Sequence, residues 1–111
     1  MDLVQWLGKQ LDEEERLARA CPGNGEWDAD GIAFFARDLN PEAQAHIVAH
    51  DPARVLCEIE AKRDLLRLAE RAHDYHETFM NGFASALEGT LRRFALAYAD
   101  RPGYKAEEWR P

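Results

Sequence analysis

Two Asx-Pro steps, Asn40-Pro41 and Asp51-Pro52, set hard boundaries in the middle of this chain. Proline suits the first turn of a helix, where its missing N–H has no partner to lose, and an Asn or Asp just before it can cap the free N–H groups. The residue before proline avoids the α region, so Asp51 must break any helix that precedes it. The steps therefore predict a short helix from Pro41 to about Ala49 and a long helix starting at Pro52. Along the long one, Leu56, Ile59, Arg63, Leu66 and His73 recur near heptad spacing, and Val55 and Ala69 widen the stripe. Glu58 and Lys62 make an expected i,i+4 pair worth about 0.3 kcal/mol.

The flanking segments read in the same way. Residues 2–20 are helical by pattern, with Asp2 as cap, Leu3, Leu7 and Leu11 in one row, Val4 and Ala18 beside them, and Asp12 to Glu15 on the wet face. Cys21-Pro22-Gly23-Asn24-Gly25 stops that helix. Asp30-Gly31 between Trp27 and Ile32-Ala33-Phe34-Phe35 predicts a short β-hairpin at about 26–36, with a helix over Ile32 to Leu39 as the competing reading. A further helix over 79–99 carries Phe79, Phe83, Leu87, Leu91, Phe94 and Tyr98, with Ala84, Ala86 and Ala95 permitting close approach of a neighbour. Arg101-Pro102-Gly103 ends it, and Tyr104 and Trp109 predict a tail that docks. The expected fold is mainly α, a small bundle of three main helices and one short helix in a single domain, 1–111. The helices from Pro52 and near Phe79 are expected to zip along apolar seams with no carved pocket.

Charge narrows the function classes. The chain has 14 basic and 21 acidic residues, a formal net charge of −7. The excess lies before residue 56, where 11 acids face 5 bases. Nucleic-acid affinity comes largely from counterion release at a basic surface, so nucleic-acid binding is disfavoured. The longest uncharged run, Thr78 to Leu87, is far short of the roughly 20 residues of a membrane helix. Met1 to Trp6 has no basic start before an apolar stretch, which predicts no signal peptide and a cytoplasmic protein with no membrane partner. Cys21 and Cys57 fit no metal or redox spacing, and Cys57 reads as a partly buried, inert thiol.

Three constellations could carry function. His46 and His50 share a helical face at i,i+4, and His73 and His76 lie at i,i+3; together they could hold zinc or another divalent metal. Against that stands distance, because Pro52 to His73 spans about 32 Å of helix. Arg63, Arg67 and Arg71 line one stripe and, with Trp109, could meet a protein partner, although neighbouring acids and the acidic first helix compete for the arginines. Asp51 and Pro52 read as structural caps. His50-Asp51 also looks like the dyad of HD-type metal phosphohydrolases, but Pro52 makes Asp51 a cap and the chain is short for the remaining ligands. The favoured expectation is a cytoplasmic protein-interaction module without cofactor, with homodimerisation in view; the alternative is a metal-dependent, hydrolase-like site built on the histidines.

Two long stretches carry a resemblance: His46-Ile47-Val48-Ala49-His50-Asp51-Pro52-Ala53-Arg54-Val55-Leu56 with Glu60 to Arg63, and Leu96 to Tyr104 with Glu107 to Pro111. In these the chain resembles a family of short actinobacterial and actinophage proteins, a domain of unknown function. Gly103 and Cys57 depart from that family's pattern. The resemblance implies that origin, a cytoplasmic setting and a phage or mobile-element context, and it supplies no catalytic residue. The aromatic surplus in residues 79–109 and the lack of a catalytic set favour an accessory or counter-defence factor that binds another protein.

Overall fold

The computed structural model describes residues 1–74 and 78–111, with the side chains at 73, 74 and 78–81 left aside. The protein is mainly α, with helices α1 (Leu3–Ala20), α2 (Ala29–Phe35), α3 (Pro41–Ala49), α4 (Pro52–Asp74), α5 (Thr78–Leu96) and α6 (Ala106–Trp109). Among the described residues there is no strand. The chain forms two compact units, one of Met1–Asp12 with Ala61–Pro111 and one of Glu13–Glu60.

The first unit is a helical bundle built on apolar rows. Asp2 and Gln5 open α1 reciprocally: the Asp2 carboxylate accepts from the Gln5 N–H at 2.8 Å, and Gln5 Oε1 accepts from the Asp2 N–H at 3.2 Å. The start of α1 then buries Leu3, Trp6, Leu7 and Leu11. Leu7 and Leu11 meet Leu66 of α4 and Leu91, Phe94 and Tyr98 around a void of about 10 Å³, at the lower limit for one water. Ala95 is wholly buried, so its small side chain does admit a neighbour. Phe83, expected on the seam, is exposed instead. Lys62 lies 5.7 Å over the Phe94 ring, and Glu58 pairs with Arg54 at 3.0 Å rather than with Lys62.

The chain end closes this unit through aromatics. Trp6 stands 5.4 Å from Trp109 and 5.6 Å from Tyr104, centroid to centroid, and those two stand 5.9 Å from each other. Trp6 Nε1–H donates to the Pro102 carbonyl at 3.0 Å, so the buried indole leaves no donor unpaired. That bond brings the backbone close against the Nε1 edge of the ring. Gly103 makes the approach, at φ +90, and a Cβ there would lie 2.9 Å from Trp6 Nε1.

The second unit is organised by caps. Gly23 and Gly25 turn the chain at φ +83 and +81, and the Gly25 carbonyl accepts from the Ala53 N–H at 2.9 Å. Asp51 Oδ1 accepts from the Arg54 N–H at 2.8 Å and caps α4, while its Oδ2 accepts from the Trp27 N–H at 3.1 Å. Asn40 Oδ1 caps α3 through the Ala43 N–H at 2.8 Å. The Gln44 amide donates to the carbonyls of Ala36 and Leu39, both at 3.1 Å, and ties α3 to the end of α2.

The expected hairpin at 26–36 is thus replaced by α2. The Asp28 carboxylate accepts from the Gly31 N–H at 2.6 Å and Asp30 sits in the first turn, where a negative charge favours a helix. Asp30-Gly31 belongs to that first turn and not to a tight reversal, and a lone pair of strands would have had no sheet to join.

The aromatic closure makes a glycine contrast measurable. Gly103→Ala should destabilise the protein by about 1–3 kcal/mol through strain and the clash with Trp6. Gly8→Ala, with nothing within 4 Å of the added carbon, should stabilise it by about 0.5–1 kcal/mol. Urea denaturation of both variants checks the pair.

Candidate functional site

The sequence-predicted residues fall in different places. His46 and His50 are exposed on α3 and its end, with ring centroids 4.3 Å apart and planes 33° apart. His50 Nδ1–H donates to the His46 carbonyl at 2.8 Å. In a neutral ring that bond puts the proton on Nδ1 and Nε2 keeps its lone pair, the arrangement seen in metal-binding histidines oriented by a carbonyl. These two side chains supply two ligands, whereas protein zinc sites use three or four. His76 and the side chain of His73 lie outside the described residues. Among the described residues no group of three or more His, Cys, Asp or Glu is placed to share a metal.

The arginine stripe is paired at two of its three positions. Arg63 reaches Asp12 of α1 at 2.8 Å, and Arg67 bonds Asp64 one turn earlier. Arg71 is exposed. Trp109 is only 4% exposed and belongs to the aromatic closure, so its side chain offers a partner almost no surface. Cys57 is exposed rather than partly buried.

The seam expected to be closed opens near the start of α1. A groove of about 510 Å³ lies there, lined by Leu3, Val4, Ala69, Ala84 and Leu91 together with Asp2, Glu70 and Glu88. Its carboxylates are exposed and partly engaged: Asp2 caps α1, and Glu88 pairs with Arg92 at 3.3 Å.

A feature the sequence reading did not single out lies on α2. Phe34 and Phe35 are 72% and 84% exposed, their rings meet edge to face at 5.1 Å, and Leu39 follows at 44% exposure. No residue of α2 or α3 is buried. The signal available was the aromatic pair itself, which a hairpin reading would have assigned half to a buried face. Aromatic residues on an ordered helix, open to water, are how proteins present recognition surfaces.

The chain belongs to the family of unknown function DUF6221. The match runs over residues 1–111. No curated protein and no solved structure matches the chain. Within this family member, both stretches behind the resemblance coincide with structural joints: the Asp51 cap and the Trp109 closure. Among the described residues no helix is long and apolar enough to cross a membrane.

Asp51 is the joint that pH can test. The backbone N–H groups of Arg54 and then Trp27 hold its carboxyl below the ordinary value of 3.8, against a smaller opposing effect of burial. A depressed folded-state pKa adds stability above the unfolded value and loses it as pH falls through the folded value. The stability gap between the natural protein and Asp51→Asn should therefore be widest near neutrality and shrink as pH is lowered below about 4. Denaturant midpoints across pH measure this, and a gap independent of pH would contradict it.

Proposed function

We propose that this protein is a small cytoplasmic interaction module, one that acts by docking another protein and not by transforming a substrate. The observation that carries the reading is the Phe34–Phe35 ledge, exposed on a helix that is capped at its start and tied to α3 by Gln44. A helix of 7 residues has little stability of its own, and this one buries none of its side chains. Its aromatic rings therefore add little to folding and remain available for contact. An accessory or counter-defence factor in the phage context that the resemblance implies is such a small chain that works by binding.

A second reading is favoured by the His46–His50 geometry: a divalent-metal site that takes these two rings and completes its ligands elsewhere. Zinc titration followed on the His50 ring resonances tests it, with stoichiometric binding lost in His46→Ala as the supporting result and unchanged resonances as the opposing one.

For the docking reading, a photo-reactive phenylalanine analogue in place of Phe35 should give discrete protein adducts in the native cytoplasm, while the same analogue at exposed Asp100 should not. Phe34→Ser with Phe35→Ser should abolish competition for those adducts and change folding stability by no more than about 0.5 kcal/mol. Equal adduct patterns at positions 35 and 100 would reject the module.

A further inference from the structure

The ledge has an electrostatic setting that specifies its occupant. Five exposed carboxylates lie within residues 26–42, at Glu26, Asp28, Asp30, Asp38 and Glu42, against the single cation Arg37. Asp30 and Asp38 stand four residues before and four after Phe34, so acid flanks the ring along the chain on both sides. From these facts we propose that the Phe34–Phe35 ledge is a docking site for a basic amphipathic helix, apolar on one face and bordered by lysine or arginine. The inference rests on the interaction-module reading and names the chemistry of its partner.

Three observations select that occupant. At about 200 Å² per phenylalanine, the two rings leave about 300 Å² of aromatic surface in water. That is a patch for a helical segment and small for a globular interface, which needs about 800 Å² on each side. A second copy would bring the same carboxylates face to face, and like charges across a contact oppose it. An open phenyl face attracts ammonium and guanidinium groups, and nearby carboxylates strengthen that choice. The same negative field disfavours nucleic acid and anionic lipid.

The test uses the whole protein and two synthetic helices of about 18 residues, one of Leu and Lys and one of Leu and Glu. Calorimetric titration at about 50 mM salt should show binding of the Leu/Lys helix alone, weakened at about 500 mM. Phe34→Ala with Phe35→Ala should reduce affinity about thirtyfold, as expected for two aromatic anchors. Asp30→Asn with Asp38→Asn, which leaves the rings in place, should weaken binding and flatten its salt dependence. Equal binding of both helices, still lost with the phenylalanines, would overturn the basic partner and leave the interaction module standing. Binding unaffected by the phenylalanine changes would overturn the site. Absence of binding overturns the proposal as well, and position-35 adducts then tell whether the module itself survives. Self-association in sedimentation that disappears in the phenylalanine variant would assign the ledge to a second copy and overturn it too.

Discussion

The second compact unit is organised around one carboxylate. Asp51 terminates α3's neighbourhood, caps α4 with one oxygen and holds the Trp27 N–H with the other. The two bonds join segments 24 residues apart in sequence. Beside them, the Gly25 carbonyl receives the Ala53 N–H, so two parallel ties fix the chain immediately before α2. Because the N-cap Asp28 follows directly, the direction in which α2 departs depends on that joint. Few apolar contacts are available there to do the same work, since neither α2 nor α3 buries a residue.

The two units are thus stabilised by different physics. In the first, apolar rows and an aromatic closure exclude water, and the one bonded indole satisfies its donor on the Pro102 carbonyl. In the second, hydrogen bonds to helix ends hold short elements in place and leave their aromatic side chains outside. A surface held by capping bonds can be ordered without being buried, which is what recognition by a preformed site requires. The groove lined by Leu3 and Leu91 belongs to the first kind of unit.

Much of the helical layout was legible because its punctuation is local. Asn40-Pro41 and Asp51-Pro52 mark the starts of α3 and α4, and Pro22-Gly23 follows the end of α1, each through backbone chemistry confined to a few residues. Asp30-Gly31 was ambiguous: the same pair turns a hairpin or opens a helix, and the choice fell to Asp28, whose carboxylate reaches the Gly31 N–H. Trp6 went unread as a core residue because the Leu3-Leu7-Leu11 row explains α1 without it, while its partners Pro102, Tyr104 and Trp109 lie about a chain length away. Phe83 followed the period of its helix yet lies outside, since periodicity gives a stripe but not its angular limits. The ledge was hidden for a related reason: hydrophobic residues are read as interior by default, and only the folded structure shows a pair left in water.

The central claim is that α2 is ordered while its phenylalanine rings remain in water. Backbone amide exchange over Ile32 to Ala36, combined with relaxation of the Phe34 and Phe35 ring protons by a soluble paramagnetic agent, measures both halves at once. Protected amides with strongly relaxed rings are the predicted result. Rings shielded to the level of Trp6, or amides exchanging as fast as an unfolded chain, would contradict the account.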